Sequence, residues 1–318
     1  MTLRTALTAR FGIDHPVVLA PMGGVAGGAL AAAVSEGGGL GLIGAGSGNR
    51  KWVERECGIA TAATSKPWGI GFLAWGVTPE VLGAAIEQSP SAIMLSFGDP
   101  KPFVDPIRAA GVAVMVQVTS MDEARRALDV GADVVGAQGS EAGGHGGGRA
   151  TLPFVPAVVD IAGTTPVLAA GGIADGRGLA AALTLGAAGA LIGTRFEATT
   201  EALLDADEVK AIIAAHALDT TRGRAIDVAA RAGWPERYPA RTLRNRFTDE
   251  WQDRVAELDD SVRQEYLDAV ARRDYDYVPI WAGEAVDMIN ESDDAAAVVA
   301  QIVAQAEYVI NAVGQLYA

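Results

Sequence analysis

The chain has 318 residues, of which half are apolar and only 6% are aromatic. A chain of this length can bury about three quarters of its unfolded surface, so it can form one large α/β domain with an insertion or two ordinary domains. The net charge of −14 disfavours nucleic acid and anionic lipid surfaces as partners, because both repel an acidic protein.

Cys57 is the only cysteine, which excludes an internal disulfide and a cysteine-based structural zinc site. We therefore expect no metal and a reducing, cytoplasmic location. Apolar stretches are broken by Gly, Asp or Pro well short of a membrane span, so we also expect a soluble protein that does not enter membranes. The sequence leaves the oligomeric state open, a homo-oligomer included.

Short β-rich runs alternate with Ala-rich helical stretches through the first two thirds of the chain, which is typical of successive βα units around a parallel sheet. The predicted strands are Val17–Ala20, Leu40–Gly44, Trp68–Phe72, Ala92–Ser96, Ala113–Val118, Val134–Gln138, Val167–Ala170 and Ala190–Gly193. An open doubly wound sheet is the alternative. Eight strands with glycine-rich loops after several of them favour a closed (β/α)8 (TIM) barrel.

Helix boundary residues support this division. Thr78 before Pro79 is a typical N-cap, and Ser120 with Glu123 has the spacing of a capping box. Gly131 and Gly186 stand where the residue after a helix C-cap is expected.

The chain changes character after the eighth run. Residues Thr199 to Tyr277 are rich in charge, Trp, Tyr and Arg and contain no β-like run, which predicts a helical excursion. We expect a barrel domain from residues 1–200 and 280–318 and a helical substrate-covering subdomain from residues 201–279. A long amphipathic helix near Ala295 to Leu316 is expected to pack on the barrel.

Two segments with glycine lie at the ends of the last two predicted strands and continue into the loops after them. AAGGIADGRG begins at Ala169, and LIGTR begins at Leu191. Both would lie at the C-terminal rim of the barrel, where the N–H groups of Gly171, Gly172, Gly193 and Thr194 can bind a dianion without lysine. Tight βα turns with no ligand are the alternative. Two such segments on adjacent strands favour a phosphate-bearing cofactor.

One of three histidines, His145, lies in the segment QGSEAGGHGGG that follows the sixth run. Imidazole groups in general change protonation near neutral pH, so a histidine here can take a proton from an acidic C–H group or bind an anion. A structural or capping histidine is the alternative, which the surrounding glycines disfavour. Glu141 is either a second acid or a residue that holds this loop by accepting backbone hydrogen bonds. His15 and His216 are expected to be structural.

The first run ends in Ala20, Pro21, Met22 and two glycines. These residues can form a flat wall beneath an aromatic ring system such as a flavin, although Pro and Met are also ordinary loop and core residues. Aromatic side chains outside the runs can cover the pocket or belong to the core: Trp75, Trp234, Tyr238, Trp251 and Trp281.

The segments APMGG, GIGFLAW, VMVQV, QGSEAGGHGGG, AAGGIADGRG and LIGTRF together resemble the nitronate monooxygenase family, formerly called 2-nitropropane dioxygenases. Flavin-dependent enoyl-acyl-carrier-protein reductases and NADH:quinone reductases share much of this pattern. Many relatives have GVN at the third strand where this chain has Gly71 and Phe72, so we transfer no flavin contact to Phe72.

The resemblance implies a barrel that binds FMN, with His145 as the catalytic residue. It implies the following flavin and phosphate contacts: Ala20, Pro21, Met22, Gln117, Gln138, Ala142, Gly143, Gly144, Gly171, Gly172, Gly193 and Thr194. The implied reaction is oxidation of alkyl nitronates, and of nitroalkanes if they are substrates, by O₂ to a carbonyl compound and nitrite. Two alternatives are an NAD(P)H-dependent flavin reductase of a quinone or enoyl thioester, and a non-catalytic barrel that binds a phosphorylated metabolite.

Overall fold

The computed structural model describes residues 3–317 and contains an eight-stranded parallel sheet within this range. Its strands are β1 (Val17–Leu19), β2 (Gly41–Gly46), β3 (Trp68–Leu73), β4 (Ala92–Ser96), β5 (Ala113–Val118), β6 (Val134–Gln138), β8 (Val167–Ala170) and β9 (Gly189–Ile192). The short strand β7 (Gly144–His145) belongs to a second sheet. All eight predicted runs are therefore strands, and four of them have the predicted bounds.

The sheet closes on itself between its first two strands. Val18 forms a parallel bridge with Leu40, and the Leu19 amide donates to the Leu40 carbonyl at 3.0 Å. On the other side β1 pairs with β9 in parallel register. The structure is thus the (β/α)8 barrel that the strand count predicts, and the open-sheet alternative is excluded.

Helices surround the barrel and form the segments after it. They are α1 (Ala6–Phe11), α2 (Gly28–Glu36), α3 (Arg50–Ala63), α4 (Pro79–Ile86), α5 (Lys101–Ala109), α6 (Met121–Asp129), α7 (Thr151–Ala162), α8 (Gly176–Thr184), α9 (Thr194–Glu197), α10 (Ala206–Ala214), α11 (Ala225–Ala230), α12 (Arg246–Trp251), α13 (Asp260–Ala271) and α14 (Ala295–Gly314). Short 3₁₀ helices span Ala217–Asp219, Val255–Glu257, Glu284–Met288 and Gln315–Tyr317.

The predicted helix boundaries agree with the structure, except that the capping box at Ser120 forms only one of its two hydrogen bonds. The Thr78 hydroxyl accepts from the Val81 amide, and Gly131 and Gly186 have φ of +74° and +90°. The Ser120 hydroxyl accepts from the Glu123 amide, but the Glu123 carboxylate does not return to Ser120. It accepts instead from Thr119 and from the Tyr238 hydroxyl, because a side chain from the distant excursion competes for it.

The excursion after β9 differs from the prediction in one respect. It contains α10 to α13 but also β10 (Thr220–Gly223) and β11 (Ala240–Leu243), which pair antiparallel. Strand β11 also pairs with β7, so the sheet order is β10-β11-β7. The predicted helical excursion is therefore present, but it also contains two strands that the sequence did not reveal, because they are too short and too polar to show a β pattern.

Helix α14 packs on the barrel as expected. Val298, Ile302 and Ala306 are fully or nearly fully buried, and the helix contacts α8 and α2. Within residues 3–317 it is the one helix long and apolar enough, by length and composition, to cross a membrane. The expectation that every apolar stretch is broken well short of that length was wrong for this segment.

Close packing between sheet and helices gives a testable consequence at Gly41 in β2. A Cβ added there would overlap the backbone carbonyl of Ala31 in α2. We expect Gly41→Ala to lower the free energy of unfolding by about 3 kcal/mol, since backbone has to move. Gly83 in α4 has open space around its Cβ position, so Gly83→Ala should stabilise by about 0.5–1 kcal/mol. Urea denaturation of both variants measures the contrast; equal effects would contradict it.

Candidate active site

A cavity of about 320 Å³ lies at the C-terminal ends of the barrel strands. Every site residue predicted from the sequence lines it, namely Ala20, Pro21, Met22, Gln117, Gln138, Ala142, Gly143, Gly144, His145, Gly171, Gly172, Gly193 and Thr194. The structure therefore brings together segments from five different strand ends. Phe72, which we left out of the prediction, lines the cavity as well.

The two glycine segments form one end of this cavity. Gly171 and Gly172 have φ of +97° and +72°, a conformation that glycine adopts without strain. Within residues 3–317 their amide N–H groups donate no backbone or side-chain hydrogen bond. Gly193 and Thr194 follow β9 on the neighbouring strand, and the Thr194 hydroxyl accepts from the Gly283 amide at 3.0 Å. Free amides at a strand end are suited to hold an anion.

The loop after β1 forms an apolar wall, and two strand glycines let it approach. A Cβ on Gly71 would overlap the Pro21 ring, and a Cβ on Gly44 would overlap the Met22 backbone. The Met22 sulfur would lie 3.3 Å from a Cβ on Gly193. Glycine at these positions therefore keeps Pro21 and Met22 in place beside the anion-binding end.

Gln138 connects the barrel to the histidine loop. Its side-chain nitrogen donates to the His145 carbonyl at 3.0 Å. Its side-chain oxygen is buried and has no hydrogen-bond partner, which is costly unless a ligand supplies a donor. Gln117 lies on the adjacent strand and also lines the cavity.

His145 forms a buried pair with Asp227, a residue of α11. The imidazole Nε2 lies 3.0 Å from both carboxylate oxygens, and each side chain is only 9% exposed. A carboxylate only accepts hydrogen bonds, so Nε2 carries a proton and donates. No described residue bonds to Nδ1, which leaves that atom of a cavity-lining ring for a ligand.

Aromatic rings pack against the His145 imidazole. The Trp234 ring stacks on it with centroids 3.3 Å apart and planes 6° from parallel, and Trp281 lies 5.4 Å away. Phe97 contacts Trp234 edge-on. Of the five aromatic residues considered for this role, Trp234 and Trp281 line the cavity. Trp75 contacts Trp234, and Tyr238 contacts Phe97. Trp251 is not among the residues that line the cavity and packs against the same buried cluster as Trp281.

Strand β7 places His145 in the second sheet, opposite Ala240 of β11. The guanidinium of Arg222 donates to the carbonyls of Ser140 and Ala142 in the same loop and to that of Pro239 in the excursion, at 2.7–3.0 Å. Burial and the nearby Arg241 lower the pKa of Arg222 to about 10, so it remains cationic at neutral pH. The excursion thus holds the loop at several points.

Removing Arg222 should loosen the histidine loop. Arg222→Ala removes a buried cationic donor from three backbone carbonyls and leaves the Ala142 carbonyl without a donor among the described residues. We therefore expect the free energy of unfolding to fall by about 3 kcal/mol. Arg231→Ala removes an exposed ion pair with Asp260 and should change it by less than about 0.5 kcal/mol. Denaturant unfolding of the two variants provides the comparison. A cost at Arg222 no larger than at Arg231 would show that the loop does not depend on it.

Glu141 holds the loop and does not point its carboxylate freely into the cavity. It accepts from the amide and hydroxyl of Thr151 at 2.8–3.0 Å. Its carboxylate thus accepts a backbone hydrogen bond, as the loop-holding alternative expects. Arg241 pairs with Glu284, and Arg195 donates to backbone carbonyls. His15 and His216 lie outside the cavity lining.

The residues that line the cavity fit FMN. Free amides at Gly171 and Gly172 suit its phosphate, and the apolar wall of Pro21 and Met22 suits a flat ring. The unpaired Gln138 oxygen suits a ring N–H donor. Within the described residues no group of acidic, His or Cys side chains could hold a metal ion.

Comparison with known proteins agrees with this site. The family model for nitronate monooxygenase matches residues 4–76 and 76–305. A nitronate monooxygenase of Metarhizium robertsii is 34% identical, with 93% of this chain and 92% of that protein covered. The solved structure of FabK from Thermotoga maritima superposes with a TM-score of 0.88 at 30% identity, covering 99% and 100% of the two chains.

A dehydrogenase of Rhodococcus jostii, named for an octahydro-indene-carboxyl-CoA compound, is 40% identical over 71% of this chain. The match covers 64% of that protein, so the chain spans less than two thirds of this relative's length. The family model covers nearly the whole chain, and the fold and cavity agree with it. The chain is therefore an enzyme of the nitronate monooxygenase family of oxidoreductases.

Proposed function

We propose that the protein binds FMN in the strand-end cavity and oxidises alkyl nitronates with O₂ to carbonyl compounds and nitrite. The observation that carries this proposal is the buried His145–Asp227 pair, which presents Nδ1 beside a cavity suited to a flavin. When bound, FMN would supply an acceptor for electrons from the substrate. We also propose that residues 201–279 cover the substrate and that the enzyme is cytoplasmic.

Atoms and charge balance without an added reductant. Two nitronate anions and one O₂ contain the atoms and charge of two carbonyl compounds and two nitrite anions. A protonated His145 would donate from Nδ1 to a nitronate oxygen, while Asp227 holds Nε2 and balances the charge. For a neutral nitroalkane the same Nδ1 would accept the proton from the carbon next to the nitro group. Trp234 and Trp281 would keep water from the imidazole.

A flavin-dependent reductase is the second candidate, with NAD(P)H as donor and a quinone or enoyl thioester as acceptor. Its support is the 40% identity to the Rhodococcus dehydrogenase, which acts on a carboxyl-CoA compound by its name. The same cavity and histidine would serve this reaction. The preference for nitronates over this candidate is supported by the family model and by the 34% identical nitronate monooxygenase, both of which cover most of the chain. The two reactions differ in their co-substrate, because only the reductase reaction consumes NAD(P)H.

The products separate these candidates. We expect purified protein to be yellow and to release FMN on denaturation. With an alkyl nitronate in air and without NAD(P)H, it should form nitrite and carbonyl compound in equal amounts with half as much O₂ consumed. A colourless protein without affinity for FMN would end the flavin proposal and favour the non-catalytic alternative. Nitrite formation that needs NAD(P)H would exclude the nitronate reaction as written.

A further inference from the structure

Glu197 is a buried carboxyl group in the cavity that the proposed function does not use. The residue is 4% exposed and lines the same cavity as His145. It follows Thr194 by three positions in α9, so the two side chains lie on one side of that helical turn. This places Glu197 at the end of the cavity formed by the two glycine segments.

Within residues 3–317 no hydrogen bond or ion pair involves the carboxyl group of Glu197. Neighbouring carboxyl groups have their own partners: Glu208 of α10 accepts from the Asp205 amide, and Glu284 pairs with Arg241. Arg195, also on α9, donates from its guanidinium to the carbonyls of Ala198 and Glu291 and not to Glu197.

These surroundings favour the neutral form of the group. Burial, with a smaller contribution from Glu208, raises the pKa of Glu197 well above its usual value. An ionised carboxylate would also repel a phosphate in the same end of the cavity, whereas a carboxylic acid has an O–H donor that needs an acceptor. The remaining charged group of the adjacent 3₁₀ helix, Asp287, is paired with His216.

We infer that the protonated carboxyl group of Glu197 donates a hydrogen bond to the phosphate group of the bound flavin nucleotide. This inference rests on the proposed function, since it requires that FMN be the ligand. It adds a side-chain donor to a site otherwise built from backbone amides. It also makes cofactor affinity depend on pH, because deprotonation replaces a donor by a negative charge.

Titration of the flavin-free full-length protein with FMN and with riboflavin tests the inference, with quenching of flavin fluorescence as the readout. Riboflavin lacks the phosphate, so it reports the ring site alone. Glu197→Ala should raise the Kd for FMN by about tenfold or more and leave the Kd for riboflavin within about twofold. Glu197→Gln keeps an N–H donor and should remain within about threefold of wild type for FMN at neutral pH.

The pH profile gives a second readout. A group that binds its ligand when protonated and has a raised pKa favours binding at low pH and loses it as pH rises. As pH rises through the raised pKa of Glu197, wild-type affinity for FMN should therefore fall relative to Glu197→Gln. The titration of FMN itself is common to both proteins and cancels in that comparison. Glu80→Gln removes an exposed carboxylate on α4 and should behave as wild type.

The outcomes are distinct. Equal losses of FMN and riboflavin affinity in Glu197→Ala would mean a structural role and overturn the inference, as would unchanged FMN affinity or identical pH profiles for wild type and Glu197→Gln. If wild type bound no FMN, the proposed function itself would fail.

Discussion

His145→Ala is expected to lower kcat for nitronate oxidation by about 10²- to 10⁴-fold, the usual contribution of a positioned acid or base. The variant loses the Nδ1 donor that would hold the nitronate oxygen. FMN binding should change little, because the substitution leaves Gly171, Gly172, Pro21 and Gln138 in place, and Gln138 donates to the backbone carbonyl of residue 145, not to the imidazole. Steady-state nitrite formation, together with the flavin absorbance of the purified variant, measures both effects.

The matched control for this variant is His216→Ala. His216 is exposed, outside the cavity, and paired with Asp287 at 3.2 Å. Its removal should leave kcat within about twofold, since exposed pairs contribute little. Full turnover by His145→Ala would remove the catalytic assignment, whereas loss of both turnover and flavin would show that the histidine instead supports the cofactor site.

The second large effect is expected at Asp227, which acts through His145 as a positioning residue. Asp227→Asn removes the negative charge beside Nε2, and its amide can present a donor where the imidazole needs an acceptor. We expect kcat to fall by about 10- to 100-fold with a smaller change in KM, because a misoriented imidazole weakens the transition state more than substrate binding. The pH profile of kcat should change as well, which a merely structural role would not cause.

Asp260→Asn provides the comparison within the same excursion. Asp260 is exposed and pairs with Arg231, so its neutralisation should leave both kcat and its pH profile unchanged. If Asp227→Asn matched this control, the pair seen in the structure would have no part in the reaction. A combined His145→Ala and Asp227→Asn variant should be no slower than His145→Ala alone, since Asp227 acts through the histidine.

The barrel could be predicted because its strands are short, largely apolar runs that alternate with helical stretches. Strands 92–96, 113–118, 134–138 and 167–170 have their predicted bounds. Strands β10 and β11, with the sequences TTRG and ARTL, carry no such pattern. They form because the histidine loop and the excursion meet in the folded protein.

Some residues of the cavity could likewise be predicted from the sequence, and others could not. Loops after barrel strands converge by topology, so residues such as Pro21, Gly171 and Gly193 could be placed together from the sequence. Asp227 lies 82 positions from His145 on a short helix of the excursion, and no local motif marks it. Glu197 follows the LIGTR segment, but only its burial and lack of a partner show that it is unusual.

The most direct test of the nitronate proposal is anaerobic reduction of the bound flavin. The enzyme is mixed without oxygen either with propionate 3-nitronate or with NADH, and flavin absorbance is followed in time. We expect rapid bleaching by the nitronate and little change with NADH. Rapid bleaching by NADH, with none by the nitronate, would contradict nitronate oxidation and favour the reductase.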